Sequence, residues 1–561
     1  MEATPNPVKV LEVCRVAPPP SSPDSAVPTS LSLIFFDLFW VRFPPVQRIF
    51  FFETSHSTTT FLDTVLPKLK HSLSLTLQHY LVLAGNLTWP PDSYKPIIQY
   101  VEGDDAVSLT IAESKADFYH LSSYSFREVK EIHHFLPQFL SSDTRAPLMT
   151  LQITLFPNKG FSISYATHHA ALDGKTVALF LHSWASICRR GEDSTLTPEE
   201  TPFYDRSLIK DPGDHERTYV NFLLNLNGPN NKSLLIWDLK PPTDIMLGTF
   251  QLTRANIENI KKRVKTQWQE KQKQEPAIHV SSFTITSAYV WVCLVKAKKI
   301  SAGKVHLGFS VDCRARLEPP IPSTYFGNCV TGRLVDADSN DLIGEDGVAT
   351  AVKAICEAIE GLKDGAVQEV ELSKMLSIDR NRLFTIGGSP RFELYNTDFG
   401  WGRPRKVEMT SIDKSGAFSL SDCRYGNGGL EIGIVLKKHE TEAFASLFAS
   451  GNLAQKRSFE KRVKTQWQEE QKQEPAIHVS SFTKTSAYVW VCRARLEPPL
   501  PSTYFGNCLS GQQINADSND LIREDGVAIA VKAIGEAIES LKDEALKSFK
   551  CLNFRCGLEA C

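Results

Sequence analysis

The chain has 561 residues, 42% of them hydrophobic and 22% charged, which describes a globular protein too long for one ordinary domain. Its formal net charge of -2 gives no reason to expect nucleic acid or an anionic membrane surface as a partner. The 12 cysteines include no CxxC pair and no Cys/His cluster at ligand spacing, so free thiols in a reducing, cytoplasmic setting are expected, and no metal.

Residues 1–28 are polar and proline-rich, without the cationic start and apolar core of a secretory leader. Val8–Val16 reads as a first strand. Leu31–Phe52 is rich in apolar residues, but Asp37, Arg42, Pro44, Pro45, Gln47 and Arg48 interrupt it. That rules out a membrane span and favours strands, Leu31–Phe39 and Gln47–Glu53, around a turn. Thr58–Leu83 carries Phe61, Val65, Leu69, Leu73, Leu77 and Tyr80 on one stripe, the pattern of a helix that Pro67 divides and Gly85-Asn86 ends. Pro96–Val101 and Val107–Ala112 read as strands, and Ser125–Glu131 begins a short helical region. Leu148–Phe156 is a strong strand that pairs as a hairpin, across Pro157–Gly160, with the strand that begins at Gly160.

That second strand opens the stretch that organises the chain, GFSISYATHHAALDGKTVALFLHSWASICRR, residues 160–190. Phe161, Ile163 and Tyr165 alternate with Ser162, Ser164 and Ala166, as in a strand with one buried face. Val177, Phe180, Leu181 and Trp184 then share a helical face. Between them lie His168, His169, Asp173 and Gly174. A strand end turning into a helix can hold a side chain rigidly over a cleft, and histidine there can take a proton near neutral pH. By itself the HxxxD spacing of His169 and Asp173 is weak, since 14 histidines supply about one such match by chance. The alternative is a buried histidine followed by an aspartate N-cap.

Gly191–Pro242 is polar, with six prolines, and reads as a crossover between two halves. The second half opens with a strand at Gly248–Leu252 and a helix from Arg254 to about Gln272. A helix over Ser281–Lys298, a buried strand over Val305–Cys313 and a helix over Glu345–Leu362 come next. Phe418–Cys423 and Leu430–Leu436 form a hairpin around Gly426–Gly429, and His439–Phe448 closes the half as a helix. Mixed strands and helices throughout argue for α/β layers in two related lobes. No GxSxG elbow, GxxxxGK phosphate loop or GxGxxG dinucleotide turn occurs.

The chain then repeats itself. Lys461–Cys492 copies Lys262–Cys293 except for Glu470 in place of Lys271 and Lys484 in place of Ile285. Arg493–Ala545 follows Arg314–Ala366 with scattered changes, and Leu294–Cys313 has no counterpart. Two copies, one lacking a central strand, do not make a solenoid.

HHAALDG (168–174) resembles the HxxxD motif of the plant BAHD acyltransferases, which use acyl-CoA donors. Asp398-Phe399-Gly400-Trp401-Gly402 is similar to their second signature, DFGWG. Tyr325-Phe326-Gly327-Asn328-Cys329 resembles the YFGNC motif of the branch that acylates anthocyanin, flavonoid and phenolic glucosides, often with malonyl-CoA. The strings STTTFLDTVLPKLKHSLSLTLQHYLVLAGNL, SVDCRARLEPP, GSPRFELYNTDFGWG and GGLEIGIVL add to the likeness, which runs from about Val8 to Leu453.

The resemblance implies the two-lobed, chloramphenicol acetyltransferase-like fold of CoA-dependent acyltransferases, α/β with mixed sheets and flanking helices. It divides the chain into an N-terminal lobe (1–215) carrying HxxxD, a crossover (216–245), a C-terminal lobe (246–453) carrying YFGNC and DFGWG, and a partial duplicate of 262–366 (454–561). It implies His169 as general base, with His168 a neighbour. Asp173 becomes a structural brace paired to an arginine, Arg314 first and Arg316 second. Asp398, Gly400, Trp401 and Gly402 form a structural turn, while Tyr325, Phe326, Gly327, Asn328 and Lys175 are candidates for contacting CoA or the acyl group. The implied partners are an acyl-CoA, malonyl-CoA before hydroxycinnamoyl- or acetyl-CoA, and a small glucoside acceptor, used by a monomer without a bound cofactor. A non-catalytic or mis-joined relative is the reading from another class.

The tail lacks the strand matching Val305–Asp312, and its helix at Gly526–Leu541 aligns Val527, Val531, Ile534 and Ile538 on a face with no partner of its own. A protein ending near Leu453 is therefore expected to be at least as soluble and as active as the full chain. Monomer yield and kcat/KM of both forms check this, and loss of activity on truncation overturns it.

Overall fold

The computed structural model describes residues 7–20, 26–191, 195–240, 242–272, 280–364 and 377–450. The repeated tail at 454–561 lies outside them.

Ten strands of the first half are described: β1 (Val8–Val16), β2 (Ser30–Ser32), β3 (Val46–Glu53), β4 (Asn86–Thr88), β5 (Ile97–Gln99), β6 (Val107–Ser114), β7 (Arg127–Glu128), β8 (Arg145–Pro147), β9 (Met149–Phe156) and β10 (Gly160–Thr167). The second half adds β11 (Ile245–Leu252), β12 (Lys304–Asp312), β13 (Val330–Asp338), β14 (Leu383–Gly387), β15 (Lys406–Met409), β16 (Phe418–Asp422) and β17 (Leu430–Lys437). They form one sheet in the order β1-β6-β9-β10-β3-β15, a second in the order β13-β12-β14-β16-β17-β11-β7, and a small one in the order β2-β5-β4-β8. The helices that matter below are α1 (Phe35–Leu38), α2 (Leu66–Leu77), α3 (Gly174–Arg190), α4 (His215–Asn225), α5 (Arg254–Gln272), α6 (Ser282–Ala297) and α7 (Gly347–Glu360).

The β9–β10 hairpin forms at the expected register, Gly160 opposite Phe156, with Asn158 in the left-handed region (φ 59°). Gly160 is required there, because a Cβ would lie 2.3 Å from the carbonyl oxygen of Phe52. The expected one-faced burial of β10 is corrected: all eight residues are buried, since β9 and β3 flank the strand and both faces are covered. Ser164 is accommodated by hydrogen bonding, donating to the carbonyl of Phe135, while the buried Ser162 hydroxyl has no partner among the described residues.

Other expectations change as well. Leu31–Phe39 is not one strand: β2 ends at Ser32 and α1 comes next, because the buried Asp37 carboxylate accepts the Ile34 amide at 3.1 Å and closes a turn. Ser125–Glu131 begins as the short strand β7 before turning helical at Val129. Strands β4, β8, β13, β14 and β15 have no counterpart in the sequence reading. The helix read at Thr58–Leu83 runs to Leu77, with a π-turn at Phe61–Val65 ahead of Pro67.

The division at the crossover does not separate the molecule in space. β15 pairs with β3, Val407 opposite Phe50, so second-half chain completes the first sheet. β7 pairs with β11 and extends the second sheet in return. DFGWG, placed by sequence in the second lobe, packs on the first: Phe399 is 5.7 Å from Phe52 and 4.8 Å from Trp184 between ring centres. Two apolar cores result, one around Phe50, Phe161 and Trp184 and one around α6 and α7, where Ile285 is fully buried. A third, smaller core joins Phe51 and Phe156 to Leu247 and Ile412.

Where the halves interlock, charges are buried in balance. Arg127 of β7 pairs with Glu408 of β15, and Lys406 lies 4.0 Å from Glu431 of β17 and over the Tyr124 ring. Tyr124 and Tyr395 donate to the Glu431 carboxylate at 2.8 and 2.7 Å. Burial pulls the Lys406 ammonium down to about 8 despite both carboxylates.

Candidate active site

β10 delivers His168 and His169 at its carboxyl end, and α3 begins five residues after His169. Asp173 is the helix cap: its Oδ1 accepts the Thr176 amide at 3.0 Å and the Thr176 hydroxyl at 3.1 Å. The same carboxylate receives Arg314 on both oxygens, at 2.9 and 3.1 Å, and the Cys329 amide at 3.1 Å. It makes no hydrogen bond to His169. Arg314 also donates to the carbonyls of Tyr325 and Gly327 at 3.1 and 3.3 Å, and to Asp312 at 3.1 Å. Burial alone would lower the pKa of this guanidinium, but Asp173 and Asp312 outweigh it and hold it above its ordinary range. Arg316 points elsewhere, donating to the Asp312 carbonyl.

A second buried carboxylate steadies the histidine. Asp37 of α1 accepts the backbone and side-chain amides of Asn328 at 3.1 and 3.0 Å and is paired with Arg206 at 2.6 Å. The Asn328 side chain also donates to the His169 carbonyl at 2.9 Å. Trp40, just past α1, covers the His169 ring face to face, 3.8 Å between centres and 4° from parallel. The Nδ1 of His169 is sealed, with no hydrogen-bond partner, which leaves Nε2 as the nitrogen available to the cavity that His169 lines. Burial lowers the pKa of His169, opposed by its own backbone carbonyl, the charge of Asp173 and Asn328. His168 is buried away from the cavity wall, accepts the Ala170 amide at 3.2 Å, and is pushed down to about 3 by burial and by its neighbour.

The cavity measures about 1890 Å³. That exceeds the roughly 300–1,000 Å³ of a single-ligand pocket and leaves room for two substrates. Its wall includes His169, Trp40 and Lys175 from the first half and Phe309, Ser389 and Arg391 from the second. Lys175 is partly exposed there and bridges to Asp312 at 3.1 Å. Tyr325, Phe326 and Asn328 are fully buried and, with Gly327, do not line the cavity; they form the bed under the motif loop. Asp398, Gly400, Trp401 and Gly402 are also away from it. Asp398 accepts the amides of Gly400 and Gly402 at 2.7 and 2.9 Å, and both glycines adopt positive φ (108° and 94°). Trp401 rests against Phe161 and under Lys68. Among the described residues no group of three or more His, Cys, Asp or Glu side chains could hold a metal ion, and no helix is long and apolar enough to cross a membrane.

Sequence reading missed Trp40, Asp37 and Arg206. The signal for Asp37 was available: a lone carboxylate in the run Ile34–Phe39 must be paired if it is buried.

Residues 8–450 match the model of the Transferase family. Phenolic glucoside malonyltransferase 2 of Arabidopsis thaliana is 40% identical over 453 residues, 79% of this chain and 98% of that protein. The malonyl-CoA:anthocyanidin 5-O-glucoside-6''-O-malonyltransferase of the same plant is 39% identical over 455 residues, 79% of this chain and 98% of that protein. Its agmatine coumaroyltransferase is 35% identical over 457 residues, again 79% and 98%. Among solved structures, vinorine synthase aligns with a TM-score of 0.57 at 18% identity, covering 78% of this chain and 96% of that one, a likeness of fold.

Breaking the buried Asp173–Arg314 pair from one side strands a charge, at a cost of about 3–5 kcal/mol. Both Asp173→Ala and Asp173→Asn are expected to lower the melting temperature and soluble yield together with activity. An Asp173→Asn protein as stable as the parent yet inactive would show instead that the carboxylate acts in the chemistry.

Proposed function

The chain belongs to the BAHD acyltransferase family, and from that membership we propose that it transfers the malonyl group of malonyl-CoA to a sugar hydroxyl of a phenolic or flavonoid glucoside. The two malonyltransferases at about 40% identity, matched over nearly their whole length, support the donor and the acceptor class. The observation that carries the mechanism is the isolation of His169. One ring nitrogen is sealed, the ring face is covered by Trp40, and the remaining nitrogen has the cavity as its outlet.

A sugar hydroxyl is a poor nucleophile at neutral pH. The neutral His169 imidazole accepts its proton as the oxygen attacks the thioester carbonyl. The tetrahedral intermediate then collapses, the carbon–sulfur bond breaks, and the imidazolium returns the proton to the departing CoA thiolate. No covalent acyl-enzyme is needed. Trp40 favours the step twice, by fixing the ring plane and by placing an indole face against the imidazolium as it forms. Asp173 and Arg314 act at one remove, by holding the loop that carries the base. The cavity's size supports holding donor and acceptor together, which removes much of the entropic barrier.

Within this proposal the protein is a cytoplasmic monomer. Cys14, Cys188, Cys293, Cys329, Cys356 and Cys423 are free thiols, which accords with a reducing compartment. Incubation of purified protein with malonyl-, acetyl- and coumaroyl-CoA and one neutral phenolic glucoside, read by mass spectrometry, tests the donor. Preference for coumaroyl-CoA would favour the second reading, which the likeness to agmatine coumaroyltransferase supports.

His169→Ala is expected to lower kcat/KM by about 10²–10⁴ with the melting temperature unchanged; near-normal turnover would remove His169 from the mechanism. The lowered pKa also fixes the sign of the pH dependence. A base that stays neutral below the ordinary imidazole value of 6.5 puts the acid inflection of kcat/KM below pH 6.5. The depressed pKa values of His168 and His169 give stability that is complete above about 6.5 and lost as pH falls through their folded values, so melting temperatures across the series separate unfolding from titration. An inflection above 6.5 in folded protein would contradict the assignment.

A further inference from the structure

We propose that the guanidinium of Arg48 seats the free carboxylate of the acyl donor, and so selects malonyl-CoA over uncharged acyl groups; the proposal rests on the malonyl-transfer reading above. Arg48 is on β3, where it shares one face with Phe50 and Phe52 and stands opposite Tyr165 of β10 in the sheet register. Phe50 and Phe52 are core. Arg48 and then Val46 continue that row to where the sheet meets the cavity, and Arg48 is 6% exposed.

Nothing answers its charge. Among the described residues, no hydrogen bond or ion pair reaches its guanidinium, and its Nε is buried and unpartnered. The sealed Nε leaves the terminal nitrogens as the part that the cavity reaches. The contrast with the other buried arginines is direct: Arg127 has Glu408, Arg314 has Asp173, and Arg42 has the carbonyls of Asn231 and Leu235. A buried cation without a counter-charge is costly in the free protein, and an incoming anion recovers that cost. Gly388 preserves the space. A Cβ there would stand 3.2 Å from Nη2 of Arg48, and the residue's φ of +75° disfavours any side chain.

The anion must be one that belongs beside the base. β3 is hydrogen-bonded to the strand that carries His169, with Val46 opposite Thr167, two residues before it. On the malonyl-transfer reading, the groups that meet His169 are the reacting ones, the thioester and the sugar, and Arg48 lines the same cavity. The malonyl carboxylate is one methylene from the thioester carbonyl, and its planar pair of oxygens suits a guanidinium fork. Lys175, beside the motif, is already bridged to Asp312 at 3.1 Å and keeps 37% of its side chain exposed. It has less to gain from a ligand.

The test is donor selectivity, the ratio of kcat/KM for malonyl-CoA to that for acetyl-CoA with a neutral phenolic glucoside. Arg48→Met keeps the length of the side chain and removes the charge, and the ratio is expected to fall by about 10- to 100-fold, the worth of a charge-assisted hydrogen-bond pair. Arg48→Lys, which keeps the charge without the fork and guards against a folding failure, is expected to give a ratio between those of the parent and Arg48→Met. Lys175→Met is expected to lower the ratio less than Arg48→Met. An unchanged ratio in Arg48→Met, or a larger fall in Lys175→Met, overturns the proposal. With acetyl-CoA as donor, a loss confined to an acceptor that carries a carboxylate on its sugar overturns it in favour of acceptor binding. Unmutated protein that uses acetyl-CoA but not malonyl-CoA overturns the malonyl reading itself, and this shows before any variant is compared.

Discussion

The bidentate pair between Asp173 and Arg314 is the contact on which the rest of the site depends. One carboxylate caps α3, receives the Cys329 amide at the approach to β13, and holds the arginine that in turn binds the carbonyls of Tyr325 and Gly327. Both members are almost fully buried, so neither can exchange its partner for water without stranding the other. The motif loop therefore has one low-energy position, and His169 inherits it. The aspartate is four residues from the histidine in sequence and makes no hydrogen bond to it; it serves it by holding the backbone and, at a distance, by its charge.

Asp37 and Arg206 build a second node of the same kind. Asp37 grips Asn328, and Asn328 grips the His169 carbonyl. The segment 325–329 thus lies between two buried ion pairs, one fixing each side of the histidine loop. Its tyrosine, phenylalanine and asparagine are spent on this framework. The cavity wall is built from other residues, among which Trp40 comes from just past α1 and Arg48 from β3.

The two halves hold one another by exchange of strands. β15 and the DFGWG turn carry second-half chain onto the first sheet, while β7 does the reverse at the edge of the second. Phe399 acts as the plug, and Asp398 closes the turn on two glycine amides so that the plug can be presented. The buried charges of Arg127, Glu408, Lys406 and Glu431 sit at this crossing. Correct pairing satisfies them, and a slipped strand leaves a charge uncompensated.

Much of this was legible in the sequence because it is local. The alternation of residues 160–166, the helical stripe from Val177 to Trp184, the Gly426–Gly429 hairpin and the motif strings each depend on neighbours within a few positions, and periodicity reports such neighbours directly. What only the tertiary structure decided is non-local. The short strands β7, β14 and β15 have no period long enough to read, and their conformation is imposed by the sheets they join. Asp37, Arg42 and Arg48 look in sequence like interruptions in an apolar run, a pattern that excludes a membrane span and says no more. Folding sorts them by partner: Asp37 meets Arg206 and Asn328, Arg42 meets two backbone carbonyls, and Arg48 lines the cavity with no hydrogen-bonding or ionic partner among the described residues. The sequence alone determined which residue could take a proton. Which charges surround it, and which one was left without a partner, depended on contacts between residues more than a hundred positions apart.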